Sequence, residues 1–292
     1  MSIFLGTGAS EGIPAAFCSC SNCERARHRG GKNIRSRSSF LIDEKSIIDF
    51  GPDFYWQVTV NGLNMQQLQH IFITHTHEDH LSVPELGTRN SAFPHPEMPV
   101  TIYGSEQVVQ FIQHMMLQYL PKNLRDQQVH TYSGYRFQTL IPFTEYNIGG
   151  MQVIPLPGAH PGIIQGEHSL NYLIRDCNGR RFLYACDTGW YADEVWDYLR
   201  EKQVQLDYLI IECTYGTYRT CSTGEHPYGH LDYPTLLSML VAFEKCGCIT
   251  RKIPVYVTHI CHFSADGFEE MQAYFDSLNW TIYSAYDGMR LS

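Results

Sequence analysis

Short apolar runs recur along the chain and stop abruptly at polar clusters. Residues 2–5, 38–42, 46–49, 71–73, 100–103, 153–156, 182–185, 208–211 and 255–257 are of this kind. Runs of this length, rich in branched and aromatic side chains, read as buried strands. Residues 170–175 pair with 181–185 across the turn signal Cys177-Asn178-Gly179, and a terminal strand is expected near 281–283. Between the runs, residues 54–61, 105–119, 192–202, 234–244 and 265–275 read as helices. Ser105 caps the second of these, with Glu106 in its first turn. Residues 129–156 alternate as several short strands, turning at Ser133-Gly134 and Gly149-Gly150, and residues 82–97 read as a partly helical loop. No fixed-period repeat and no Pro-, Gly- or Ser-rich linker divides the chain. The expectation is one α/β domain of layered sheets over residues 1–292.

The ends of the runs carry the chemistry. Residues 71–73 lead into Thr74-His75-Thr76-His77-Glu78-Asp79-His80. His75 and His77 are two apart, so on an extended strand end their imidazoles point the same way. Three histidines and a carboxylate within six residues offer the ligand mix that zinc, iron(II) or manganese accepts. Residues 153–156 lead to Pro157-Gly158-Ala159-His160, residues 182–185 to Cys186-Asp187, and residues 255–257 to Thr258-His259. One histidine at a strand end is usually a satisfied polar residue, but four such ends predict a shared centre. Pro-Gly on both sides of His160 predicts a tight loop there. His168, close by and also before a strand, competes for the same role. Asp49 and Asp53 flank the Gly51-Pro52 turn, where capping and turn roles stand beside ligation.

Cys18, Cys20 and Cys23 form a second group, with the metal-like spacing Cys-x-Cys-x-x-Cys. A closed tetrahedral zinc site needs a fourth ligand. His262 is the candidate, because three residues after His259 it can face away from the first centre; Cys261 is the rival. Composition is that of a globular protein, with 43% hydrophobic and 17% charged residues and a formal net charge of −9. There is no Lys/Arg block, so the chain lacks the broad electrostatic footprint of a nucleic-acid binder. The basic stretch 25–37 reads as short and solvated. The loop at residues 6–10 carries no phosphate-binding motif and is expected to let backbone approach a site closely. No run of 18 apolar residues occurs, and the Gly-rich start does not read as a signal peptide. The expectations are no membrane partner, a cytoplasmic location and reduced thiols.

Taken together, His75-x-His77-x-Asp79-His80, His160, Asp187 and His259 resemble the metal signature of the metallo-β-lactamase superfamily, over almost the whole chain. The resemblance implies a four-layer αβ/βα sandwich with a dinuclear site at one edge. His75, His77 and His160 would hold one divalent ion, zinc or manganese. Asp79, His80 and His259 would hold the other, with Asp187 bridging and a hydroxide shared between the ions. With GTGASEGIP before the cysteines and THICH near the end, the chain further resembles PhnP-type phosphodiesterases of the carbon–phosphorus lyase pathway. That family places a structural zinc on a set matching Cys18, Cys20, Cys23 and a histidine, here His262. The implied activity is hydrolysis of a small phosphate diester, cyclic esters included, with Asp79 and His230 as catalytic residues. His230, in Gly229-His230-Leu231-Asp232, matches the family's catalytic histidine and would protonate the leaving oxygen. Glu212 would orient it, and His226 in the same loop is left without a role. A tRNA 3′-processing endonuclease of the same superfamily and a non-catalytic carrier of the PqqB kind are the competing readings. The implied partner is a small-molecule phosphodiester, not nucleic acid, and a homodimer is left open.

Overall fold

The computed structural model describes residues 1–92, 99–119, 134–217, 226–264 and 266–291. The first sheet is built from β1 (Ser2–Gly6), β2 (Ser39–Asp43), β3 (Ser46–Ile48), β4 (His70–Phe72), β5 (Val100–Gly104) and β6 (Tyr135–Thr139). The second contains β7 (Tyr146–Ile148), β8 (Met151–Pro161), β9 (His168–Arg175), β10 (Arg181–Ala185), β11 (Tyr208–Glu212), β12 (Val255–Thr258) and β13 (Ile282–Ser284), in that spatial order. A final strand, β14 (Arg290–Leu291), returns to the first sheet beside β1, so each sheet has seven strands. Both sheets are mixed. β1 to β3 and β7 to β10 are antiparallel, whereas β3 to β6 and β10 to β13 are parallel. Helices α1 (Ser21–Arg29), α2 (Phe54–Val60), α3 (Val83–Ala92), α4 (Glu106–Tyr119), α5 (Asp193–Glu201), α6 (Tyr233–Lys245) and α7 (Phe268–Asp276) complete the described elements.

The strands alternate between two kinds of apolar side chain. Phe4, Phe40, Phe72, Tyr172, Phe182, Tyr184 and Ile210 pack in the layer between the sheets. Their neighbours Ile3, Leu5, Leu41 and Ile71 face the helices of the first sheet. Leu173, Leu183, Ala185, Leu209 and Ile211 face those of the second. Successive strand residues point to opposite faces, so strands covered on both sides read as unbroken apolar runs. Each such side chain, fully buried, contributes about 1.5–3 kcal/mol. The result is the expected four-layer arrangement, with an inter-sheet core that is largely aromatic.

Several local expectations are corrected. The stretch 25–37 is not a solvated loop: Ser21–Arg29 is a helix that buries Cys23 and Ala26. Arg35 is buried, donating to Thr7 Oγ1 at 2.8 Å, Ser284 Oγ at 3.0 Å and the Ala285 carbonyl at 2.5 Å. A buried guanidinium is tolerated here because its donors meet fixed oxygens. His160 is not in a tight loop. β8 continues through it to Pro161, whose partner is His168, with the register shifting between Pro157 and Pro161. Such a bulge accommodates the prolines that the sequence suggested would end the strand. Of the partly helical stretch 82–97, α3 covers Val83–Ala92 and residues 93–98 lie outside the described residues, as do 129–133 of the short-strand region. The last helix starts at Phe268, and residue 265 is also outside. Among the described residues, no helix is long and apolar enough to cross a membrane.

Candidate metal centre

The loops that follow β3, β4, β10 and β12, together with the end of β11, meet at one edge of the two sheets. These are carboxyl ends of parallel strands, where backbone ladders stop and side chains are released into a crevice. Asp49 follows β3, His75 to His80 follow β4, Asp187 follows β10, Glu212 closes β11, and His259 follows β12. His160 reaches the same place from β8. Asp49, Asp187 and His259 have positive φ, at 63°, 53° and 56°. Non-glycine residues are held there at a cost, commonly at functional sites.

Two groups of donor atoms result, each within 4.8 Å: His75, His77, His160 and Asp187, then Asp79, His80, His259 and Asp187. His75 Nε2 lies 2.8 Å from His77 Nδ1, which lies 3.1 Å from His160 Nε2. His259 Nε2 is 2.9 Å from Asp187 Oδ1, and His80 Nε2 is 3.2 Å from both Asp79 Oδ2 and Asp187 Oδ2. Asp187 therefore belongs to both groups. His168, the competitor of His160, is exposed at the start of β9 and belongs to neither. Asp53 pairs with Arg37 at 2.9 Å instead.

The residues fit divalent ions by an observation beyond their identity. Four of the five histidines have their second ring nitrogen engaged. His80 Nδ1 donates to Asp49 at 2.7 Å and His160 Nδ1 to the Gly229 carbonyl at 3.1 Å. His75 Nδ1 donates to Thr74 Oγ1 at 3.0 Å, and that hydroxyl donates to Asp49. His259 Nδ1 donates to Thr214 Oγ1 at 2.8 Å, and that hydroxyl donates to Glu212 at 2.6 Å. In each case Nδ1 is occupied by a hydrogen-bond partner and Nε2 is left facing the centre, the arrangement that orients metal-binding histidines. Electrostatics agree. Burial holds the His75 imidazole down to about 3, and lowers His160 as well. Burial also opposes charge on His259, but the carboxylates of Asp187 and Asp79 outweigh it and lift this histidine to about 10. His80 is raised in the same way, against its burial, by Asp79, Asp187 and Asp49. The cluster of carboxylates is a sink for positive charge.

Beside this centre, His230 stacks on His259 with ring centroids 5.5 Å apart and lies tilted against His160 at 4.6 Å. Its Nδ1 donates to Glu212 at 2.9 Å. Glu212 is buried and also accepts from the backbone N–H groups of Thr188, Thr214 and Leu231. Burial opposes a charge on His230, yet Glu212 raises its pKa above the ordinary value, and His230 in turn lowers that of Glu212 against burial. His226 stacks on Trp190 at 4.1 Å and is absent from the donor groups.

The cysteine group also assembles. The donor atoms of Cys18, Cys20, Cys23 and His262 lie within 4.8 Å, and Cys20 Sγ is 3.7 Å from His262 Nδ1. Cys261, the rival, points to Glu11 at 3.7 Å. Burial pushes the Cys23 thiol up to about 12, with Cys20 and Cys18 adding to the effect. Burial also opposes ionisation of Cys20, but the Cys23 backbone N–H and His262 bring it down to about 6. Ionisation of Cys20 is thus favoured over that of Cys23, and a thiolate is the form that binds a metal.

The sequence left Asp49 open between ligation and a turn role and did not show its place behind the histidines, because its partners Thr74 and His80 are 25 and 31 residues away. Sequence reasoning missed Glu167 altogether. This residue is buried against Thr76, between His75 and His77. Neither residue sits in a motif, and a carboxylate at a strand end or hairpin was the available signal.

Comparison with known proteins places this geometry. Over 116 residues the chain is 31% identical to a ribonuclease Z from Geobacillus kaustophilus, a match covering 38% of this chain and 32% of that one. The chain spans less than half the length of the curated relatives it matches. A diphosphatase from the PhnP family superposes with a TM-score of 0.71 at 22% identity, covering 100% of this chain and 96% of the other. A metallo-β-lactamase fold protein from Bacillus subtilis gives 0.64 at 15% identity, covering 99% and 97%. These similarities show the metallo-β-lactamase fold. The sequence model described as Anti-Pycsar protein Apyc1 matches residues 37–226, a span holding His75, His77, Asp79, His80, His160, Asp187 and Glu212. That is well over half of the chain, and on it this protein belongs to the Anti-Pycsar Apyc1 family.

Proposed function

We propose that this protein is a metal-dependent hydrolase of small cyclic phosphate diesters, with cyclic nucleotides as the substrate class. The observation that carries the reading is the pair of donor groups sharing Asp187, with a histidine–glutamate pair directly beside them. In this reading His75, His77 and His160 hold one ion, and Asp79, His80 and His259 the other. Asp187 serves both, and zinc or manganese suits the set. When bound, such ions supply Lewis acidity toward phosphoryl oxygens and a water acidified enough to be a nucleophile near neutral pH. His230 delivers a proton to the leaving oxygen. Its Nδ1 is committed to Glu212, so Nε2 carries the transferable proton, and Glu212 favours the protonated imidazole against its burial. Cys18, Cys20, Cys23 and His262 would hold a structural zinc that fixes the N-terminal loop next to the Thr214 segment, to which Cys261 is hydrogen-bonded at 3.0 Å. The family assignment supports a cyclic nucleotide as the diester.

The test is a screen of cyclic mononucleotides, a linear activated diester such as bis(p-nitrophenyl) phosphate, and lactones, on protein of measured metal content. Asp79→Ala and Asp187→Ala should abolish turnover while keeping the circular dichroism spectrum. Wild-type rates in either variant would refute the mechanism. A second reading, tRNA 3′-end processing, is favoured by the ribonuclease Z match. The net charge of −9 weighs against it, and cleavage of a precursor tRNA at rates above those for cyclic mononucleotides would establish it.

A further inference from the structure

The donor group of His75, His77 and His160 is assembled from both sheets. His75 and His77 follow β4 of the first sheet, and His160 lies on β8 of the second. Glu167 joins them. It lies in the hairpin between β8 and β9, is 2% exposed, and reaches 91 residues back to Thr76, the residue between the two histidines. Its Oε1 accepts the Thr76 backbone N–H at 2.8 Å, and its Oε2 accepts the Thr76 hydroxyl at 2.5 Å. That hydroxyl accepts in turn from the Ile163 N–H of the same hairpin, at 3.0 Å. The hairpin that carries His160 thus grips the peptide between His75 and His77. Gly162 makes the room, since a Cβ there would collide with the Glu167 carboxylate.

A second feature says that the contact is more than a brace. Among the described residues, no Lys, Arg or His forms an ion pair with Glu167; its partners are N–H and O–H groups. Burying a carboxylate without a countercharge is costly, and a glutamine could hold Thr76 without that cost. The donor group of His75, His77 and His160, whose first two members flank Thr76, is the place where a compensating cation would sit.

We infer that Glu167 is a positioning residue for this first donor group, fixing His75 and His77 against His160 and adding negative charge beside the ion they would hold. The inference rests on the proposed metal reading of the centre. Supporting residues of this kind typically change metal affinity about 10–100-fold.

The experiment titrates metal-stripped protein with zinc and with manganese against a competing chromophoric chelator. It is run in a Cys20→Ser background to remove the cysteine site, and chemical denaturation of the metal-free form is measured alongside. Glu167→Gln should weaken one equivalent about 10–100-fold and leave the other near the parent value, while the metal-free fold is as stable as the parent or more so. Gly162→Ala, whose Cβ would displace the carboxylate, should weaken the same equivalent. Parental affinity for both equivalents in both variants would overturn the inference and leave the metal reading intact. Equal loss of both equivalents together with a destabilised metal-free fold would overturn it in favour of a purely structural tie. If the parent itself takes up no ion, and His160→Ala changes nothing, the metal reading fails and the inference with it.

Discussion

Glu212→Gln is the substitution that interrogates the centre most directly. The wild-type carboxylate accepts from Thr188 N and His230 Nδ1 on one oxygen, at 3.0 and 2.9 Å. The other oxygen accepts from Thr214 N, Thr214 Oγ1 and Leu231 N, at 3.1, 2.6 and 3.2 Å. A glutamine must turn its NH2 toward one of these sets. The less costly orientation faces Thr188 and His230. The imidazole can change tautomer and accept, but the Thr188 N–H is left without an acceptor in a buried position. An orphaned buried donor costs about 1–3 kcal/mol, and the lost charge-assisted bond about 1.5–3 more. The total of roughly 2.5–6 kcal/mol brackets the usual cost of breaking a buried ion pair, about 3–5 kcal/mol. The pH dependence has a definite sign. Because the folded-state pKa of His230 is raised, the stability drawn from the pair is fully present below the ordinary histidine value and fades as pH rises through the raised one. The lowered pKa of Glu212 means that the contribution is lost again in acid. Urea denaturation across pH reads the first effect. The alkaline limb of kcat against pH reads the raised pKa of His230 a second way, and in the variant it should move to lower pH, with kcat down about 10²–10⁴-fold where the parent is still protonated. A variant within 0.5 kcal/mol of the parent (about the reach of an inert surface change) and with an unmoved limb would refute the role given to this pair.

Other outcomes follow from the same geometry. Chelation should abolish turnover, and re-addition of manganese or zinc should restore it; mass spectrometry of the native holoprotein should find His160→Ala short of one ion and His168→Ala unchanged, since His168 is exposed outside the donor groups. Cys20→Ser should remove one tightly held zinc and make the segment around α1 sensitive to limited proteolysis, with the circular dichroism of the sheets retained. Gly158→Ala should destabilise by about 1–3 kcal/mol in thermal or urea unfolding, the usual cost of overpacking, because its Cβ would collide with Ser169 Oγ, which donates to the Asp187 carbonyl at 2.7 Å.

The fold and the donor residues that gather at its edge were largely legible because they are written locally. A strand buried on both faces is an unbroken apolar run, and the donors lie in the polar cluster that follows it. His75, His77, Asp79, His80, Asp187 and His259 all lie in such clusters, and their donor atoms come together. His160 came together too, but on a strand that the prolines had seemed to forbid; a bulge resolved that conflict. The helix at Ser21–Arg29 was hidden by its charge, since only Asn22, Cys23 and Ala26 are buried in it and its basic face meets Glu269 and Glu270 across sequence. The supports were illegible for a different reason. Asp49, Glu167 and Glu212 act on partners made neighbours by sheet packing, and a buried carboxylate carries no periodicity to announce it. Glu212 was suspected from its strand-end position alone.

Because the donor atoms come from strand ends in both sheets, no single sheet or short segment of the chain contains a complete donor group. Chains are made from the N-terminus onward, and domains tend to fold in that order. A nascent chain displaying His75 to His80 still lacks Asp187, and one displaying Asp187 still lacks His259. If the donor groups hold ions as proposed, the second group closes only once the segment after β12 has docked, and loading would come late in folding. Chains stalled before residue 255 would lack His259, and metal occupancy would then distinguish them from chains that carry the whole second group.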